Sequence, residues 1–186
     1  MNREIWWSSC EEPGLEHLNL KRGGENIVAE SVILRVQDGN PFRLSYRIGI
    51  DSGWRVREVE VGLQSGSERQ IKLRSDVGGG NALPEFAGCF EIDISATPFT
   101  NTLPIKRLAP ESGESVDISV VYFLVPEMII KRSEQRYSRL EKDSYRFEEK
   151  GLFDGFSADL TFDEDGLVID YPNLFRRVGI ETRGLE

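Results

Sequence analysis

Arginines and carboxylates alternate with apolar residues along much of this chain: Arg43 and Arg47, Arg55 and Arg57, Glu58 and Glu60, Glu91 and Asp93, Asp159 and Asp163. On a flat sheet such a face is a solvated surface crossed by ion pairs, each contributing roughly 0.2–1 kcal/mol. On a curled sheet part of it would line a cup. Arg and Asp beside Trp54 would then suit a sugar, because hydroxyls bond the charged groups while the C–H face stacks on the ring. Glu91 and Asp93 stand two apart, a spacing that puts both carboxylates on one strand face for acid–base work. The competing role for each is a structural pair with an arginine.

Nucleophilic and metal chemistry fit poorly. Cys89 lies between Gly88 and Phe90 at the start of a strand and reads as a small buried hydrophobe. His17 sits in a polar N-terminal segment, poorly placed to serve as its base. Cys10, Cys89 and His17 have no metal-ligand spacing. Gly78-Gly79-Gly80 is not followed by the Lys-Ser/Thr of a phosphate loop and reads as part of a flexible loop from Ser75 to Pro84. No cofactor is implied. Trp6-Trp7 reads as a core anchor.

The elements that must position these groups follow period two. Phe42, Leu44, Tyr46, Ile48 and Ile50 form one apolar face. Asp51-Ser52-Gly53 is a turn. Beyond it Trp54 and Val56 fall on even positions but Val59, Val61 and Leu63 on odd ones, so a β-bulge is expected between Arg57 and Glu58. Ile71 to Arg74 reads as the returning strand. Val32, Leu34 and Val36 precede a turn at Asp38 to Pro41. Phe90, Ile92 and Ile94 form a further apolar face. So do Val116 to Leu124, then Phe156 to Phe162, and Leu167, Ile169 and Tyr171. A polar turn at Glu141 to Ser144 separates Gln135–Leu140 from Tyr145–Phe147. This spacing predicts an antiparallel meander closed or rolled into a barrel, not βαβ units. Thr97-Pro98 is a helix start, with a hydroxyl cap and then Pro at the first position. Pro104 lies too far in for a regular helix, so one short, distorted helix is expected.

Composition agrees. The 186 residues hold six Ala against 13 Val and 14 Ile, a balance that favours strands over a helix bundle. The length suits one domain, residues 1–186. A net charge of −9 argues against nucleic acid or an anionic membrane surface as the main partner. No apolar run is long enough for a membrane span, and the start lacks the apolar stretch of a secretory signal. A cytoplasmic location, with both cysteines reduced, is the expectation.

From Ala96 to Leu108 the chain reads ATPFTNTLPIKRL, which resembles the signature of the bacterial putative glycolipid-binding family. Other marks follow in order. Tyr46-Arg47-Ile48 precedes Asp51, Trp54, Arg55 and Arg57, and Gly88-Cys89 leads to Asp93. Val125-Pro126-Glu127 comes before Gln135-Arg136-Tyr137. Tyr145-Arg146-Phe147 follows, then Gly166-Leu167-Val168 and Tyr171-Pro172. The resemblance spans nearly the whole chain. It implies a spiral β-roll, a long antiparallel sheet wrapped around one helix, together with a homodimer and a glycolipid or related sugar-bearing ligand. Carried over residue by residue, it implies Tyr46, Asp51, Trp54, Arg55, Arg57, Asp93, Thr100, Asn101, Arg107, Gln135 and Tyr137 as the ligand-binding set, with no metal. Departures from the family pattern are Asn81 after the glycines, Glu91 in place of Asp, and Lys106 in place of Arg, which removes a bidentate donor.

Three functions compete. One is a non-enzymatic binder of a sugar-bearing amphiphile. The second is an enzyme on a sugar or sugar-phosphate, with Asp93 or Glu91 as acid–base and Arg55 and Arg57 holding an anion. The third is a structural dimerisation module, in which Arg55, Arg57 and Asp93 form an ion-pair network and Thr100 and Asn101 satisfy backbone groups at the helix start.

Overall fold

The computed structural model describes residues 2–65, 68–75 and 83–179. The expected glycine loop, Gly78-Gly79-Gly80, lies outside them. Thirteen strands form one open sheet. They are β1 (Asn2–Ser9), β2 (Gly14–Gly23), β3 (Asn26–Gln37), β4 (Asn40–Asp51), β5 (Val56–Leu63), β6 (Arg69–Arg74), β7 (Glu91–Ile94), β8 (Ser115–Leu124), β9 (Ile129–Glu141), β10 (Ser144–Glu149), β11 (Ser157–Phe162), β12 (Val168–Tyr171) and β13 (Phe175–Val178). A 3₁₀ turn, Phe99–Asn101, runs into the one α-helix of the described residues, α1 (Thr102–Leu108).

Strand order is β6-β5-β4-β3-β2-β1-β13-β12-β11-β10-β9-β8-β7. The chain therefore starts mid-sheet, runs out to one edge, and resumes at the opposite edge. A flat sheet of this many strands, at about 4.8 Å spacing, would be roughly 58 Å wide. The segment joining β6 to β7 could cross that distance only if almost fully extended. Rolling removes the conflict, because it lays the β5–β6 edge against the start of β7. Leu73, Val59, Cys89 and Ile92 share one core cluster there. The Arg69 guanidinium reaches across to donate to the carbonyls of Pro126 and Glu127, both at 2.8 Å. The sheet is thus a roll, not a closed barrel.

Much of the predicted patterning stands. β4 buries Phe42, Leu44, Tyr46, Ile48 and Ile50. Gly49 pairs with Glu58 and Ile50 with Val56, so Arg57 is the extra residue of a bulge at the expected place. Elsewhere the structure departs from that patterning. β1 and β2 are strands that the alternation did not single out, and the Trp pair divides between their faces. Trp7 is buried and donates from Nε1 to the Val168 carbonyl at 2.8 Å, whereas Trp6 stacks on His17. β3 buries Ile27, Ala29, Ser31 and Ile33, while Val32 and Leu34 point outward. Ile169 is exposed because it is itself a bulged residue, with Val168 and Tyr171 buried around it. In β7, Phe90 precedes the strand and is exposed, while Glu91 is buried.

β7 also departs from the antiparallel meander. It pairs with β8 in parallel, Glu91 opposite Val120 and Ile94 opposite Phe123. A parallel pair needs a crossover, and α1 supplies it. The helix sits inside the roll between two core clusters, with Phe99 and Leu103 in one and Ile105 in the other. The hydroxyl cap expected of Thr97 is found at the 3₁₀ turn, where Thr97 Oγ1 accepts the Phe99 N–H at 3.1 Å, while α1 itself begins after Asn101 without a side-chain cap. Pro104 is tolerated because the 3₁₀ turn postpones the α-helix to Thr102. The proline then falls in the first turn, where its missing N–H has no intrahelical partner to lose.

Candidate functional site

β7 and the helix start form one wall of a cavity of about 270 Å³. Asp93, Ile94, Ser95, Thr97 and Asn101 come from that wall. Across from them stand Tyr122 of β8, Phe147 and Glu149 of β10, Phe153, Phe156, Tyr171, Leu174 and Phe175. The rings pack on one another: Phe156 and Tyr171 lie 6.1 and 6.2 Å from Phe147, centroid to centroid, and Phe153 meets Tyr122 edge-on at 5.6 Å. Such edge and tilted contacts are the favoured aromatic geometries.

Two carboxylates give this apolar space its chemistry. Thr100 Oγ1 donates to Asp93 Oδ1 at 2.9 Å, and Gln135 Nε2 donates to Asp93 Oδ2 at 2.7 Å. The same amide reaches Glu149 Oε2 at 3.4 Å. Ser133 Oγ and the Gly151 N–H donate to Glu149 Oε1. Tyr137 donates to Asn101 Oδ1 at 2.8 Å, fixing the amide at the cavity wall. Burial pushes the Asp93 carboxyl up, against the opposing hydrogen bonds of Gln135 and Thr100. Burial, and then the charge of Asp93, push the Tyr122, Tyr137 and Tyr171 hydroxyls up as well.

Five of the eleven expected residues therefore meet: Asp93, Thr100, Asn101, Gln135 and Tyr137. The other six lie elsewhere. Asp51 caps its own hairpin, accepting from the N–H groups of Gly53 and Arg55 and from the Arg57 guanidinium. Partial burial works against it, but these bonds hold the Asp51 carboxyl below its usual range. Trp54 takes a positive φ in that turn, and the Lys106 ammonium lies 5.4 Å from its ring centre. Arg55 contributes its backbone N–H to the same turn. Tyr46 is buried and donates to Glu16 Oε1 at 2.6 Å. Arg107 is ion-paired with Glu91 at the seam of the roll. The cup of convergent arginines expected around Trp54 is thus a turn tied to itself, and the cavity lining holds no arginine.

Sequence reasoning passed over Glu149, Ser133 and Glu16. All three lie in phase with buried neighbours: Glu149 with Tyr145 and Phe147, Ser133 with Gln135 and Tyr137, Glu16 with Leu18 and Leu20. A polar residue in phase with an apolar face is the signal that could have found them. Glu16 accepts three hydroxyls on one oxygen, from Tyr46, Ser31 and Thr97. Burial raises its carboxyl from 4.5 to about 7 despite those bonds. Both cysteines are free, Cys10 exposed and Cys89 buried. Among the described residues no group of three or more His, Cys, Asp or Glu is arranged to hold a metal.

Fold and cavity together define a class: an open sheet rolled around a short helix, with a ring-walled, acid-lined cavity between the helix start and the C-terminal strands. Residues 4–177 match the family model described as "Putative glycolipid-binding", and the chain belongs to that family. The crystal structure of a DUF1089 family protein from Pseudomonas aeruginosa is 36% identical, covering 90% of this chain and 95% of its own, with a TM-score of 0.79. No curated protein matches the chain.

Proposed function

We propose that the protein is a non-enzymatic binder of a glycolipid or related sugar-bearing amphiphile, whose head group enters the cavity beside Asp93 and Glu149. The observation that carries this reading is the lining itself, in which aromatic faces surround two carboxylates and the amide of Asn101. Rings stack on sugar C–H faces and carboxylates accept hydroxyl hydrogens. The family description supports the same ligand class. A volume of about 270 Å³ suits a head group with part of its tail rather than a whole lipid, since pockets for drug-sized ligands begin at about 300 Å³. Of the two acid–base candidates of the enzyme reading, Asp93 lines the cavity while Glu91 is engaged by Arg107. Native mass spectrometry of protein purified from its host should show an adduct of lipid mass. The bare polypeptide mass in repeated preparations would overturn the reading.

The same proposal includes a cytoplasmic location and a homodimer. No helix among the described residues is long and apolar enough to cross a membrane. Leu15 and Leu34 are cross-strand neighbours exposed on the outer face, with Val32 beside them, and this is the surface we assign to the second copy. Light scattering should give twice the chain mass for the native protein and a single chain for Leu34→Glu. A native monomer would remove the dimer from the proposal.

A further inference from the structure

The two cavity carboxylates differ from the other deeply placed acids that pair with arginine. Asp163 is met by Arg3 and Arg177, and Glu91 by Arg107. Asp93 and Glu149 have only neutral partners among the described residues: the Thr100 and Ser133 hydroxyls, the Gln135 amide and the Ile94 and Gly151 N–H groups. Where an arginine would neutralise both, a glutamine bridges them. No Lys, Arg or His lines the cavity. Neutral donors offset only part of the cost of holding carboxylates away from water.

The remaining wall works in the same direction. Aromatic faces carry the negative end of the ring quadrupole, and Tyr122, Phe153, Phe156 and Tyr171 surround the carboxylates. Rings and carboxylates therefore both attract a cation and both repel an anion. A compact ammonium can donate to Asp93 and Glu149 while its flanks meet ring faces. A hydroxyl can satisfy one acceptor but leaves the charge in place. A phosphate or sulfate would meet like charge in the lining, while Arg35 is held against the Phe175 ring, 5.2 Å from its centre, and is not part of that lining.

Building on the reading that this cavity holds a ligand head group, we propose that the head group carries a protonated amine, bound by Asp93 and Glu149 and enclosed by the rings. The ligand class is then an amino sugar, or a comparable primary amine, joined to an apolar tail.

Three probes with one octyl tail separate the possibilities: octyl glucoside, octyl glucosaminide and octyl phosphate, each titrated calorimetrically below its micelle concentration. The glucosaminide should bind at least about tenfold tighter than the glucoside, and the phosphate should not compete. In Glu149→Gln and Asp93→Asn that preference should collapse toward parity. The wild-type comparison stands even if either variant folds poorly. Equal binding of glucoside and glucosaminide would overturn the amine while leaving a sugar-binding cavity. Tighter binding of the phosphate would overturn the amine outright. Binding of none of the three would overturn the cavity reading and the amine with it.

Discussion

Arg107→Met should destabilise the protein by about 3–5 kcal/mol at pH 8, the range found when one partner of a buried ion pair is removed. Glu91 is 1% exposed, and its second oxygen has no hydrogen-bond partner among the described residues. Burial raises its carboxyl to about 7 even with the Arg107 guanidinium in contact. Without that guanidinium the folded-state value rises further. The sign follows from linkage: an acid whose folded value is raised favours folding while protonated, and that contribution is lost as pH climbs from the unfolded value through the folded one. The penalty should therefore shrink toward pH 5 and be largest at pH 8. Urea unfolding at both values measures it. Arg107→Met with Glu91→Gln should recover much of the loss, because no charge is then left in the seam. Equal stability of Arg107→Met and wild type at pH 8 would show that the pair does not hold α1 to β7.

The roll was legible in the sequence to different depths in different strands. In β4 and β5 every inward position is apolar apart from the tyrosine, so alternation and even the Arg57 bulge could be read directly. β3 misled because residue types invert: Val32 and Leu34 point outward, while Ser31 points inward to donate to Glu16. β2 was hidden by Glu16 itself, a carboxylate standing where alternation demands an apolar residue. A buried polar contact is satisfied by a partner far along the chain, and spacing carries no trace of that partner. The parallel β7–β8 pair was illegible for a related reason. Alternation marks a strand but not its direction, and the crossover that makes the pair parallel is a single short helix, α1, whose return path the spacing does not show. The candidate site was half legible: Asp93, Thr100, Asn101, Gln135 and Tyr137 converge on it. The arginines were misplaced because charge type alone does not say whether a residue binds a ligand or its own turn.

Glu16→Gln should leave stability near pH 5 close to wild type and raise it at pH 8 by about 3 kcal/mol, the equivalent of a shift from 4.5 to about 7. Glu16 is 3% exposed and one of its oxygens has no hydrogen-bond partner among the described residues. Below about 4.5 both folded and unfolded forms are protonated, and the neutral acid is what the fold accommodates. Between 4.5 and about 7 the unfolded form releases its proton while the folded form keeps it, so stability falls across that range and levels off above it, where both are ionised. Glutamine keeps an oxygen for the hydroxyls of Tyr46, Ser31 and Thr97 and cannot ionise. The effect reaches the candidate site because Thr97 lines the cavity, bonds Glu16 at 2.9 Å and holds the Phe99 N–H that starts the helix. Replacing Glu16 by Ala tests that link separately, since it leaves three buried hydroxyls without their shared acceptor and should loosen the helix start at every pH. Unfolding curves for wild type, Glu16→Gln and Glu16→Ala at pH 5 and 8 resolve the two roles. A pH dependence unchanged in Glu16→Gln would mean that Glu16 is not the group whose proton the fold retains.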